Sequence, residues 1–420
     1  MTMLNDENNS TLSTGRLLLI LALFSIGNLY NVFQRFALAV ISSDLALEFS
    51  MTPSMLGTLS SCYLYSYAVM QVVSGLLATR FESRTMIGLA LLAAAVTGWF
   101  FTRAQTVLGL MVFRALIGVF CAFVYIPALN TLRVLSPPKW TTLLMGIFIA
   151  VGQVGNLLAS SPLKFVCNLF GWRTVFFWFA VVLPLAAGIL IWLLLPRIPK
   201  PGGSAARPAG EILRGVGRNF KSMLIPGVFV IIMWSILAGS PRYAFASVWG
   251  AQFYENAAGY NPGIMSIILT CYAIGCVLGG PVCAWISNRF GVMKTLAAST
   301  LATGIIWILL VPAELAFASP FVQMAAMLLL GIAGIGAYTC AFASVKYFNF
   351  TEAAGVFSGI VNSTNFLSGA IISQVTGRVV EKFINIKPIE LYGAVFTCFS
   401  LTSFVIFFLI IITNRKYLKY

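Results

Sequence analysis

The sequence predicts an all-α membrane protein with twelve transmembrane helices in two pseudo-symmetric six-helix bundles. Three observations carry this. The 420 residues are 60% hydrophobic and only 9% charged, which leaves too little polar surface to cover a soluble domain. Apolar runs of about 20 residues, each long enough to cross a bilayer as a helix, recur along the whole chain. One long polar stretch interrupts them near the middle, and the segments on its two sides match one another.

Taken in order, a polar tail (1–16) precedes the first apolar run, which is too long for a signal-peptide core, so no cleavable leader is expected. The first bundle (17–195) holds spans at 17–43, 55–78, 85–101, 106–130, 142–163 and 174–195. The linker (196–222) is rich in Pro, Gly and Arg, a composition that favours neither helix nor strand. The second bundle (223–413) holds spans at 223–250, 264–286, 295–311, 320–344, 354–375 and 391–413, and a short tail (414–420) closes the chain. Most Lys and Arg fall in the even-numbered loops, the linker and the tails, so both termini are expected to be cytoplasmic. Asn-x-Ser/Thr triplets at Asn8, Asn9, Asn349 and Asn362 then lie in the cytoplasm or within a span. That favours a multi-pass protein of a bacterial inner membrane.

Composition also excludes functions. With no histidine, the chain has no histidine metal site, catalytic triad or histidine proton relay. Seven of the eight cysteines sit inside apolar runs without zinc-like spacing; Cys167, near a span end, is the exception. No phosphate-binding GxxxxGK[ST] stretch occurs. Neither enzyme activity, cofactor nor metal is expected. The net charge of +15 reflects loop cations on alternating sides, not a nucleic-acid surface.

The two halves repeat a stretch that carries charge into the membrane. QRFALAVI holds Arg35, and PRYAFASV holds Arg242, at matching places. An arginine within a span costs roughly 2.5–3.5 kcal/mol and marks a functional-site hypothesis. Arg35 with Glu48 answers Arg242 with Glu255. Tyr63 answers Tyr272, Tyr125 answers Tyr338, Gly118 answers Gly331, and Asn156 answers Asn365, all offset by close to half the chain. Each guanidinium suits a carboxylate or phosphate in two-pronged geometry. The competing reading pairs each arginine with helix carbonyls, with Asp44, Glu48 or Glu255, or with the interface by snorkelling. Arg114 allows a coupling or gating role, or a structural hydrogen bond to neighbouring helices. Lys164, near a span end, is expected to snorkel. No carboxylate occupies a span centre, so an anion would find two fixed charges at the midplane and a cation none.

Aromatics inside spans, among them Tyr30, Tyr63, Tyr67, Tyr125, Trp234, Tyr243, Tyr272 and Tyr338, either line a cavity or pack. Gln71, Gln153, Asn156, Asn362 and Asn365 need polar partners in a dry bilayer, at a helix interface or in the cavity.

Several motifs together resemble the major facilitator superfamily. GLLATRFESR (75–84) resembles its G-x-L-x-D-R-x-G-R-R signature. Gly75, Leu77, Arg80 and Arg84 match, with Thr79 in place of the acid and Glu82 in place of the second glycine. AWISNRFG (284–291) keeps Arg289 and Gly291 but has Asn288 for the acid. RALIG (114–118) resembles an R-x-x-x-G pattern, and GWRTVFFW (171–178) the usual entry to the sixth span. YNVFQRFALAV followed by SYAVMQVVSGLLATRF is most similar to the organic-anion and anion:cation symporter type. The resemblance implies a monomeric secondary transporter embedded in lipid. Arg35 and Arg242 would bind substrate together with Tyr63, Tyr272, Tyr125, Tyr338, Asn156, Asn365 and Gln153. Gly75, Arg80, Arg84, Arg289 and Arg114 would act in gating, and a proton or sodium ion would be the co-ion. The missing acids at Thr79 and Asn288 imply a weaker latch between helix ends. An amino-acid or short-peptide carrier and a drug efflux pump are the alternatives.

Overall fold

A computed structural model describes residues 14–78, 81–195, 225–310, 319–344, 354–383, 386–413 and 415. The predicted linker and most of both tails lie outside these residues, as do Thr79 and Arg80. Fourteen helices occur among the described residues: α1 (Thr14–Val40), α2 (Ser42–Phe49), α3 (Pro53–Leu77), α4 (Ser83–Arg103), α5 (Val107–Leu135), α6 (Pro138–Leu158), α7 (Ser161–Phe170), α8 (Trp172–Leu194), α9 (Pro226–Ala257), α10 (Pro262–Phe290), α11 (Val292–Leu309), α12 (Pro320–Ala343), α13 (Ala354–Lys382) and α14 (Pro388–Thr413). Twelve of them are the expected spans. The short α2 and α7 extend the first and fifth spans on the face opposite the chain ends, called here the far side.

Among the described residues, nine helices are long and apolar enough to cross a membrane. The long helices α3 and α13 fall short of that level because they carry Ser, Tyr, Asn and Gln along their length. The reason is where they pack: α3 and α13 lie against each other between the bundles, as α6 and α10 do on the other flank. Ser60, Ser61, Tyr65 and Gln71 of α3 meet the opposite bundle rather than lipid. Small residues let the backbones close in. A Cβ on Gly57 of α3 would stand 2.8 Å from the Ser373 carbonyl and 3.4 Å from the Gly377 Cα of α13.

The far side is shut by hydrogen bonds across the bundles. Ser60 Oγ donates to Ser247 Oγ at 2.9 Å, Ser61 Oγ to the Ala370 carbonyl at 2.7 Å, and Gln252 to Ser42 Oγ at 3.1 Å. The Ser161 amide donates to Thr270 Oγ1 at 3.0 Å, and Ser43 Oγ donates to Glu255. The cross-bundle bond between described residues nearest the chain-end side is Asn362 Nδ2 to Gln71 Oε1, at 3.4 Å.

The signature loops differ locally. Gly291 has φ +92°, a conformation that favours glycine, at the junction of α10 and α11. Its first-half counterpart Glu82 has φ −67° and starts α4 without strain, so the loss of that glycine from the motif has no backbone cost. Arg84 donates to the Trp192 carbonyl near the end of α8. Arg289 is exposed, its guanidinium 5.7 Å from the Phe290 ring. Gly75 borders open space: a Cβ there would meet only the Ile126 side chain, at 4.0 Å.

Candidate substrate site

The site forms where α1, α3, α5 and α6 of the first bundle face α9, α12 and α13 of the second. α9 is not a plain helix there. Wider π-helical turns at Ser235–Gly239 and Phe245–Trp249 flank Pro241, and proline supplies no amide to the helix ladder. The Tyr243 amide turns to the Ser240 carbonyl at 2.9 Å. The Gly239 carbonyl then accepts the Arg242 Nε at 3.1 Å, and Arg242 Nη2 donates to the Tyr243 hydroxyl at 3.0 Å. The Arg242 Cζ also stands 4.2 Å from the Tyr243 ring centre and 5.1 Å from that of Tyr338.

Arg35 lies on an unbroken α1 and is held differently. Its Cζ sits 4.4 Å from the Phe366 ring centre, 5.1 Å from Tyr67 and 5.8 Å from Tyr243. Rings at these distances attract a cation by their quadrupoles, about 0.5–2 kcal/mol each depending on desolvation. They do not satisfy its N–H groups, and the buried Arg35 Nε has no hydrogen-bond partner.

None of the three acids that might have neutralised these arginines does so. Lys164 pairs with Asp44 at 3.4 Å, Arg173 grips Glu48, and Glu255 accepts from Ser43. Among the described residues, no ion pair includes Arg35, Arg242 or Arg114. The expectation for Lys164 is corrected here: it is only 6% exposed, and its ammonium reaches Asp44 and the Val40 carbonyl rather than the interface. At the same far end, partial burial pushes the Glu48 carboxyl up. Hydrogen bonds from Arg173 and Trp172 outweigh that and hold it below its ordinary value of 4.5.

A central cavity, about 390 Å³ with its open side included, is lined by Arg35 and the rings of Tyr67, Tyr125, Tyr243, Tyr338 and Phe366. Asn28, Gln153 and Asn362 add amides, and Val32 and Ile149 complete the wall. No lining residue is acidic. The Tyr338 hydroxyl donates to Asn362 Oδ1 at 2.6 Å, so one chain of polar contacts runs from α12 through α13 to Gln71 on α3.

Of the expected binding residues, Arg35, Tyr125, Tyr338 and Gln153 meet on this wall. Arg242 stands one layer behind it, reached through Tyr243 and Tyr338. Tyr63 is buried within the first bundle, its hydroxyl donating to Asn31 Oδ1 at 2.8 Å. Tyr272, Asn156 and Asn365 are buried off the wall, each with a side-chain polar atom lacking a partner. Arg114 donates to the Gln34 carbonyl at 2.6 Å and to Gln34 Oε1 at 3.3 Å, and lies 4.9 Å from the Tyr63 ring centre. It ties α5 to α1. Asn28, Val32, Ile149 and Phe366 were not anticipated, though helical spacing offered the signal. Asn28 and Val32 stand seven and three residues before Arg35, Ile149 four before Gln153, and Phe366 four after Asn362, so each shares a face with a residue already singled out.

Two helical bundles clasping a central polar cavity, one side shut by cross-bundle contacts, make a multi-pass membrane protein of the secondary-transporter class. The chain belongs to the major facilitator superfamily: that family's profile, "Major Facilitator Superfamily", matches residues 24–373. The chain is similar to "Probable nitrate/nitrite antiporter NarK1" of Thermus thermophilus, 25% identical over 64% of this chain and 61% of that one. It is also similar to the gentisate transporter of Corynebacterium glutamicum, 24% identical over 86% of this chain and 81% of that one. The alignment thus spans less than two thirds of the Thermus protein. The crystal structure of a D-xylose–proton symporter shares the fold, with a TM-score of 0.73 at 14% identity over 92% of this chain and 97% of that one. The relatives named are transporters, not enzymes.

Proposed function

We propose that the protein is a secondary active transporter that moves a small organic anion, a carboxylate or phosphate ester, across the bacterial inner membrane by alternating access, with both termini cytoplasmic. The observation that carries this reading is Arg35: a guanidinium on the cavity wall, its Nε unpartnered, with no acid beside it. A buried charge left in that state is costly, and an anionic ligand is what would relieve it. The named anion transporters among the relatives support the same class. A cationic drug would meet repulsion there. A zwitterion would find no carboxylate for its amine, since Glu48 and Glu255 are engaged at the far side. Arg35 binds the charged group, Tyr243 and Tyr338 meet the ligand from the second bundle, Arg242 joins them for a ligand that carries a second charge, and the amides orient the rest. Binding energy that needs both bundles then couples occupancy to closure, with a proton or sodium gradient as the energy source. Flux into proteoliposomes, measured for a panel of anions, zwitterions and sugars with and without ion gradients, tests it. Uptake of zwitterions or neutral sugars in preference to every anion would reject the reading.

A further inference from the structure

We infer that Tyr243 sets the charge of the ligand the site accepts, by holding Arg242 out of the cavity. The inference rests on the anion reading above and adds a specificity-determining residue to it. Among the described residues, Tyr243 is the ring in cation–ring contact with both arginines: its centre is 4.2 Å from the Arg242 Cζ and 5.8 Å from the Arg35 Cζ. The ring forms part of the cavity wall, whereas Arg242 does not. The tyrosine hydroxyl takes one prong of the Arg242 fork at 3.0 Å, and the Gly239 carbonyl takes the Nε. In this state the cavity offers one free guanidinium.

The placement of the ring is over-determined. It stacks on Phe36 at 6.3 Å and tilts against Phe366 at 4.7 Å, and Gly369 lies behind its Cβ with no side chain to push it forward. A single-charged anion is satisfied by Arg35 alone and has no surplus charge with which to displace a neutral hydroxyl. A doubly charged anion does, since a guanidinium bonds an ionised acceptor more strongly than a phenol oxygen. The resting site is therefore tuned to monoanions, and Arg242 is a reserve that Tyr243 withholds.

The test is Tyr243→Phe, which keeps the ring and removes the hydroxyl. Purified wild-type protein and variant are treated with 2,3-butanedione, an arginine reagent, and the modified residues are mapped by mass spectrometry. In the wild type Arg35 should react and Arg242 be spared; in the variant Arg242 should become reactive. Arg242 spared in both, or as reactive as Arg35 in the wild type, overturns the inference whatever the substrate is. Benzoate and phthalate are then compared by calorimetry. The ratio of phthalate to benzoate affinity should rise about tenfold in the variant, and an unchanged ratio with benzoate still bound again overturns it. Tyr243→Leu, checked by thermal melting, provides a second hydroxyl-free variant with the same expected reactivity of Arg242. A wild type that ignores both anions but binds a neutral sugar would sink the anion reading, while the butanedione map would still report whether Tyr243 withholds Arg242.

Discussion

Arg35 and Arg242 occupy matching places in two related half-chains, yet the structure treats them oppositely. Arg35 sits on a regular helix among three rings, without a partner for its Nε. Arg242 sits at a proline break, and its fork is already bonded to a carbonyl and a hydroxyl. The matched acids diverge the opposite way: Glu48 is ion-paired, whereas among the described residues Glu255 bonds a serine hydroxyl and no cation. A sequence repeat duplicates positions in the fold, while the hydrogen-bond state of each position is set by its own local backbone.

The largest effect expected from this contrast is at Arg35. Arg35→Lys keeps the charge but loses the planar fork, and anion affinity should fall about 100-fold or more, with the protein still folded in the membrane; calorimetry and detergent melting would read the two separately. Near-normal binding would break the comparison at its stronger end. Arg242→Lys should cost a monoanion far less, about threefold to fivefold at most, because that fork is withheld in the resting site. Equal losses at the two positions would show that both arginines bind directly. A smaller change is expected from Gly334→Ala. Its Cβ would stand 3.0 Å from the Arg242 Cδ, so the Arg242 stem must give way by a few tenths of an ångström, and binding should change about threefold at most while the reactivity of Arg35 stays as it was.

The smallest effect concerns the acids. The Glu48 carboxyl titrates below its ordinary value of 4.5, so its bond to Arg173 stabilises the fold above that pH and is lost as pH falls through the depressed value. Both partners are more than a third exposed, which keeps the contribution under about 1 kcal/mol. Glu48→Gln should melt slightly lower than wild type at pH 7 and converge with it under acid. Curves that stay parallel across that range would assign the difference to something other than the ion pair.

Hydropathy made the more apolar spans legible, and the repeat made the arginines legible, because both depend on residue type and spacing. The absence of any acid at the span centres, on which the anion proposal rests, was readable as well. The difference in hydrogen bonding between the two arginines was not. It depends on Pro241 diverting the Tyr243 amide to Ser240 and exposing the Gly239 carbonyl, a consequence of backbone geometry that no composition rule carries. Lys164 differs from expectation for a related reason: its nearness to a span end suggests solvent, but α2 carries Asp44 to it.

The seam that shuts the far side has a consequence of its own. Among the described residues its cross-bundle bonds join hydroxyls, amides and carbonyls, and where a carboxylate takes part, as Glu255 and Glu381 do, the donor is a hydroxyl rather than a cation. Mobile ions screen charge pairs but have little hold on neutral dipoles. Opening of this side should therefore proceed at one rate between about 0.05 and 0.5 M salt, each bond handed in turn to an incoming water, and the carrier's timing at that face would be indifferent to the ionic strength of the solution it opens to.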